Sequence, residues 1–128
     1  MNELAQPRGQ PPASGAFKPP HALRVIAWEI TRRCPLACRH CRAGAQDRDY
    51  AGELTTDECL RVLDSLTPET RPMIIWTGGE PMCRPDILEL VRAATGRGLR
   101  SVMAPCGALV TRESLQELKG AGVTACSF

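Results

Sequence analysis

Met73-Ile74-Ile75-Trp76-Thr77-Gly78-Gly79-Glu80-Pro81 is the stretch on which the fold turns. Its first five residues, β-branched and aromatic around a methionine, read as a strand. The apolar run lacks alternation, which points to burial on both faces, as in a parallel sheet covered by helices. The glycine pair and the proline then end it sharply. Upstream, Leu23-Arg24-Val25-Ile26-Ala27-Trp28-Glu29-Ile30 reads as a first strand. Downstream, Leu99-Arg100-Ser101-Val102-Met103-Ala104 and Val123-Thr124-Ala125-Cys126-Ser127-Phe128 read as a third and a fourth.

Three helices are expected between these strands. Thr55 and Glu58 form a capping-box pair, followed by Cys59, Leu60, Val62, Leu63 and Leu66 on one face. Ile87, Leu90, Val91 and Ala94 make the stripe of a second helix, with Pro85 near its first turn and Gly96 and Gly98 beyond its end. Thr111 caps a third, with Glu113 in its first turn, Leu115 and Leu118 inward, and Gly120 and Gly122 closing it. The order βαβαβαβ is that of an α/β fold, whose parallel strands are joined by right-handed crossovers. An open doubly wound sheet and a segment of a β/α barrel both satisfy it. Either way ligands gather at the carboxyl ends of the strands. Three segments share that rim: the cysteine-bearing loop after strand 1, Gly78–Pro81 after strand 2, and Pro105-Cys106-Gly107 after strand 3.

The 128 residues fit at most one domain. Sixteen Lys and Arg against fourteen Asp and Glu leave +2, without runs of like charge, which excludes an electrostatic nucleic-acid binder or a polybasic membrane binder. No window reaches the roughly 18 consecutive apolar residues of a transmembrane helix. The N-terminus lacks the basic and apolar regions of a secretory signal, so a cytoplasmic, reducing compartment is the default. Residues 1–22, punctuated by Pro7, Pro11, Pro12, Pro19, Pro20, Gly9 and Gly15, read as a disordered tail, because their few large apolar side chains cannot offset the entropy of ordering. The domain is expected over 23–128.

Seven cysteines, an odd number in a chain without an export signal, argue for thiolate chemistry over a disulfide framework. Cys34, Cys38 and Cys41 fall within eight positions as C-x3-C-x2-C. Thiolates this close in a loop are soft ligands for zinc or an iron–sulfur cluster. A structural zinc site closes with four ligands, and a cubane cluster ordinarily takes four cysteines, so three leave one iron open. Zinc with His21, His40 or Cys59 as fourth ligand is the competing reading; it lacks the second cysteine pair such sites carry. Cys59 reads as a small core residue, Cys126 as a strand residue packed on a face, and Cys83 and Cys106 as incidental thiols on the rim. Trp28 and Trp76 read as core, and Arg39 and Arg42 as solvated.

The cysteine loop after the first strand, with Gly78-Gly79-Glu80-Pro81 after the second, resembles the radical S-adenosylmethionine (radical SAM) superfamily. The likeness runs from Trp28-Glu29-Ile30-Thr31 through Cys41-Arg42-Ala43, then to Arg84-Pro85-Asp86 and Val123-Thr124. It implies that Cys34, Cys38 and Cys41 hold a 4Fe-4S cluster whose fourth iron is chelated by S-adenosylmethionine. Reductive cleavage of that molecule would yield a 5′-deoxyadenosyl radical, which abstracts hydrogen from substrate. By the same resemblance His40 takes the place of an aromatic near the adenine. Gly78 and Gly79 let the backbone approach the ligand, Glu80 adds a carboxylate near its cation, and Pro81 fixes the turn. The third-strand loop, Ala104-Pro105-Cys106-Gly107, departs from the family pattern, so it is assigned no contact.

Trp-Glu-Ile-Thr before the cysteines and Cys-Arg-Ala after them look most like members acting on tetrapyrroles, those of heme d1 and alternative heme biosynthesis, and their auxiliary-cluster relatives. A peptide-modifying maturase, or a non-catalytic zinc or iron–sulfur binding module, is the alternative. The expected partners are therefore a small-molecule or peptide substrate and a reductant such as flavodoxin or ferredoxin. Radical SAM cores are six-stranded partial barrels, so residues 23–128 supply about four β/α units, roughly the N-terminal half. The expectation is a fragment or an interrupted reading frame of doubtful activity alone, favoured over a split enzyme.

Overall fold

A computed structural model describes residues 23–66 and 70–128 of the chain. The expected tail lies outside the described residues. Strand β1 spans Val25–Thr31, helix α1 Thr56–Ser65, β2 Met73–Gly78, α2 Ile87–Gly96, β3 Arg100–Met103, α3 Arg112–Ala121 and β4 Val123–Cys126. A 3-10 turn, Pro81–Cys83, leads from β2 towards α2. The helix starts follow from their caps. Thr55 Oγ1 accepts the Glu58 N–H at 3.3 Å while the Glu58 carboxylate accepts the Thr55 N–H at 2.8 Å. Thr111 and Ser114 reciprocate in the same way at the start of α3.

All pairings are parallel, and the strand order is β1-β2-β3-β4. A doubly wound sheet reverses direction at a switch point, whereas this one advances one strand at a time, as a barrel does. Right-handed crossovers that always step the same way lay every helix on one face. Against that face Ile74, Trp76, Ser101 and Met103 are fully buried, packed with Cys59, Leu63, Leu90, Val91, Ala94 and Leu118. Each fully buried Leu, Ile or Val there stabilises by about 1.5–3 kcal/mol relative to exposure. The Trp76 indole N–H donates to Ser101 Oγ at 3.0 Å, and its ring stacks on Trp28 with centroids 5.4 Å apart.

The opposite face corrects the expectation for β2. Met73, Ile75 and Thr77 are only half-buried, and Val25, Ala27, Glu29 and Ala125 are exposed. The apolar run of β2 is covered on one side because, among the described residues, no helix crosses the other. Two helix stripes are also narrower than expected. Val62 is 38% and Leu115 40% exposed, although both were expected to point inward. Cys59 and Leu63, or Leu118 and Ala121, already occupy the arc each helix presents to the sheet.

Candidate functional site

The carboxyl ends of β1 and β2 are joined by backbone hydrogen bonds. The pairing of β1 with β2 shifts register between Glu29 and Thr31, so Ile30 and Thr31 are both buried where the strand ends. Past that irregularity the Thr31 carbonyl accepts the Gly79 N–H at 2.7 Å, and the Arg33 carbonyl accepts the Glu80 N–H at 2.7 Å. So close a docking leaves no room for side chains on the glycines. A Cβ on Gly78 would run into the Thr31 carbonyl, and one on Gly79 into the carbonyls of Arg32 and Arg33. Gly78 also has φ +128°, a conformation closed to most L-residues. The close approach these glycines permit is thus first of all to the chain leading into the cysteine loop.

That loop is closed at its neck. The Cys34 N–H donates to the Gln46 carbonyl at 3.1 Å, and the Arg33 side chain ion-pairs with Asp47 at 2.8 Å and Asp49 at 3.2 Å. Cys34 is buried at the neck, while Cys38, His40 and Cys41 are exposed along the loop. A turn bonds the Cys41 N–H to the Cys38 carbonyl at 3.1 Å. Backbone hydrogen bonds from Ala45 and Ala43, with a smaller one from Gly44, hold the Cys41 thiol below its ordinary pKa against the opposing effect of burial. Successive N–H groups aimed at one sulfur favour a thiolate there.

Glu80 is fully buried. One carboxylate oxygen accepts the Met82 N–H at 2.9 Å and the other the Cys106 N–H at 2.7 Å, so the β2 turn is tied to the loop after β3. Pro81, also buried, opens the 3-10 turn behind it. Cys106 sits against this carboxylate. Burial, then the hydrogen bond and negative charge of Glu80, push its thiol up to about 12. Cys83, half-buried nearby, is raised by burial and by Glu80 as well.

Three residues to which the sequence assigned no role hold the rim together. Arg84 donates from Nε to Asp86 at 2.6 Å, from Nη1 to the Ile30 carbonyl at 3.1 Å, and from Nη2 to the Leu54 carbonyl at 2.8 Å. Glu53 accepts the Thr31 hydroxyl at 3.0 Å and the Arg32 N–H at 2.6 Å. Arg33 clamps the loop neck. Between them opens a cleft of about 490 Å³, lined by Thr31, Arg33, Tyr50, Glu53, Cys83 and Arg84 among others. The Arg84–Asp86 spacing was a visible local signal, but the partners of Arg33 and Glu53 lie too far along the chain to be read.

Residues 28–128 match the sequence profile of the Radical SAM superfamily. The chain belongs to that superfamily. Among curated proteins it is similar to the AdoMet-dependent heme synthase of Oleidesulfovibrio alaskensis, 45% identical over 97% of this chain and 34% of the relative. It is also similar to the PqqA peptide cyclase of Bradyrhizobium diazoefficiens, 43% identical over 77% of this chain and 26% of the relative. The chain therefore spans about a third or less of the curated relatives it matches. Its fold matches that of BtrN, solved in complex with AdoMet and 2-DOIA, at a TM-score of 0.71 and 20% identity over 81% of this chain and 44% of BtrN. The parallel four-stranded α/β sheet is thus part of a radical SAM barrel.

The residues present suit the groups such proteins use. Among the described residues no three His, Cys, Asp or Glu side chains gather as for a single metal ion. A cubane asks for something different, one free thiol for each of several irons, and Cys34, Cys38 and Cys41 are free. In the Gly-Gly-Glu-Pro turn the N–H groups of Gly79 and Glu80 are spent on the carbonyls of Thr31 and Arg33. The backbone polarity left for a ligand is that of carbonyl oxygens, which suits an ammonium group.

Proposed function

We propose that the chain forms the cofactor-binding part of a radical SAM enzyme, with Cys34, Cys38 and Cys41 as ligands of a 4Fe-4S cluster and Gly78–Pro81 as a seat for S-adenosylmethionine. When bound, these groups would supply an electron and a sulfonium C–S bond whose cleavage gives methionine and a 5′-deoxyadenosyl radical. One observation carries the reading: the cysteine loop and the glycine turn form a single hydrogen-bonded unit through Thr31–Gly79 and Arg33–Glu80. Residues more than forty positions apart in sequence are thereby held at one rim, where two groups that must touch would both bind.

Each residue then has a separable task. The N–H groups around Cys41 stabilise its thiolate. Gly78 and Gly79 keep the seat flush against the loop, and their carbonyls accept from the methionine ammonium. Glu80 anchors the seat and places negative charge beneath it. The exposed His40 offers an imidazole face for the adenine. Cys83 and Cys106, raised towards the neutral thiol, stay out of the ligand set.

The likeness to heme synthases supports a tetrapyrrole substrate. The likeness to a peptide cyclase supports a peptide as the second reading. The core is assigned to 23–128. The compartment is assigned to the cytoplasm, where the thiols stay reduced; among the described residues no helix is long and apolar enough to cross a membrane.

Anaerobic reconstitution with iron and sulfide tests the reading. The expected result is a brown protein whose EPR signal after dithionite changes on adding S-adenosylmethionine. Cys34→Ala, Cys38→Ala and Cys41→Ala are expected to abolish assembly, and Cys59→Ala to retain it. A colourless protein holding one zinc ion, without response to S-adenosylmethionine, would overturn it.

A further inference from the structure

The peptide unit joining Thr31 to Arg32 is gripped from both sides. Its carbonyl, that of Thr31, accepts the Gly79 N–H at 2.7 Å, and its N–H, that of Arg32, donates to a Glu53 carboxylate oxygen at 2.6 Å. In a trans peptide these two groups point in opposite directions, so Glu53 stands behind the plane whose front holds the glycine turn. The next unit is held by the same carboxylate at one remove. The Arg33 N–H donates to Thr31 Oγ1 at 3.1 Å, and the Thr31 hydroxyl donates in turn to Glu53, 3.0 and 3.1 Å from its two oxygens. The carbonyl of this second unit, that of Arg32, is one of the groups that a Cβ on Gly79 would strike.

Glu53 is half-buried and enters no ion pair among the described residues. Its charge is spent on an amide and a hydroxyl. Its own place is fixed by Arg84, which donates to the Leu54 carbonyl at 2.8 Å and to the Ile30 carbonyl at 3.1 Å. The residue after Glu53 and the residue before Thr31 are thus clamped by one guanidinium. Stability alone does not call for this device, because an N–H at an exposed rim can be left to water. What the carboxylate adds is a fixed tilt. Hydrogen bonds to an ionised acceptor are shorter and stronger than neutral ones, and a chain of them running through a peptide strengthens each link. Cys34 follows Arg33 directly, and Gly79 hangs from the first of these units. A rotation of either plane therefore moves a proposed cluster ligand relative to the proposed seat.

We propose that Glu53 is a positioning residue for the two cofactors: through the Thr31–Arg32 and Arg32–Arg33 peptides it sets Cys34 in register with the Gly78–Pro81 seat. It touches neither cofactor and transfers no proton or electron. The proposal rests on the function proposed above, which supplies the two groups that must meet at this rim. Glu53→Ala leaves all three thiols of the loop in place, so the cluster is kept and the alignment of the seat is lost.

The test uses the full chain, before and after anaerobic reconstitution with iron and sulfide. Affinity for S-adenosylmethionine, read from the EPR change per reduced cluster, is expected to fall at least ~10-fold in Glu53→Ala with iron content per chain unchanged. Glu53→Gln keeps an oxygen that accepts both donors and is expected to stay within about 3-fold of the native chain. Thr31→Val, which lacks the relaying hydroxyl, is expected to weaken binding about 3-fold. The double variant Thr31→Val/Glu53→Ala is expected to bind no more weakly than Glu53→Ala, because both residues hold the same peptides. Before reconstitution, deuterium exchange at the Gly79 N–H, relative to that of the buried Val91, is expected to quicken at least ~10-fold in Glu53→Ala. Leu99→Ala, a core truncation at the opposite end of the sheet, is the control, expected to lower the melting point and leave both readouts unchanged. A Glu53→Ala chain that melts lower but keeps native affinity and native Gly79 exchange overturns the positioning role and leaves the proposed function standing. Additive losses in the double variant, or a Glu53→Gln chain as weak as Glu53→Ala, overturn it as well. A native chain without an EPR response to S-adenosylmethionine overturns the proposed function, and this role with it.

Discussion

From inside the core the Glu80 carboxylate accepts the backbone N–H of Cys106 at 2.7 Å, while its second oxygen accepts that of Met82 at 2.9 Å. The turns after β2 and β3 are thereby pinned to one buried charge. Glu80→Ala leaves two donors without a partner, each costing about 1–3 kcal/mol. Urea unfolding of the chain is expected to show a loss of about 3 kcal/mol. A loss below about 0.5 kcal/mol would mean that water replaces the carboxylate and that the staple is idle.

Burial first, and then the hydrogen bond and charge of Glu80, govern the reactivity of Cys106. With its pKa pushed up to about 12, the thiol is protonated throughout the ordinary range and resists alkylation. Iodoacetamide labelling of cluster-free protein at pH 8 should leave Cys106 unmodified. In Glu80→Gln the negative charge is gone, the pKa falls, and labelling begins at lower pH. Peptide mass mapping across a pH series reads both; early labelling of Cys106 in the native chain would contradict the assignment.

Gly79→Ala places a methyl group against the carbonyls of Arg32 and Arg33, which belong to the backbone and cannot swing aside. The seat must then separate from the cysteine loop, at an expected cost of more than about 2 kcal/mol. Gly96→Ala, where no atom stands near the added methyl, is the control and should be neutral or slightly stabilising. Thermal melts compare the two. Similar midpoints would show that the docking is softer than described.

Acid should loosen the rim through Asp86. Burial opposes its ionisation, but hydrogen bonds from Arg84 and Thr56 outweigh it and hold the carboxyl below its ordinary value. A carboxyl depressed in the folded state stabilises fully above its unfolded pKa, and that stability is lost as pH falls through the folded one. The stability gap between the native chain and Asp86→Asn should therefore narrow as pH drops from about 5 to 3. A gap independent of pH in that window would show the ion pair contributes nothing.

How far the reading of the chain carried is clearest at particular residues. Thr55 with Glu58, and Thr111 before α3, marked helix starts within a residue or so, because capping involves groups three positions apart. Val62 and Leu115 were misplaced, since periodicity gives the angle of a side chain about its helix but not whether a neighbour stands there to cover it. The same gap explains β2, whose apolar run reads alike whether one face or two are packed.

At the site, the thiol spacing and the glycine turn were legible as motifs, each being short-range. That the turn's N–H groups are bonded to the carbonyls of Thr31 and Arg33 was not legible, nor was the engagement of Glu80 with Cys106, 26 residues away. Arg84 is the sharpest case, since it bonds the Ile30 carbonyl 54 positions back. Helix caps, strand character and ligand spacing are set by forces between neighbours in the chain, and these can be read along it. The choice of a singly wound sheet, the buried carboxylate, and the glycines' contact with backbone arise from atoms brought together by packing. Those depend on which segments share the limited space around one core, and no local pattern encodes that.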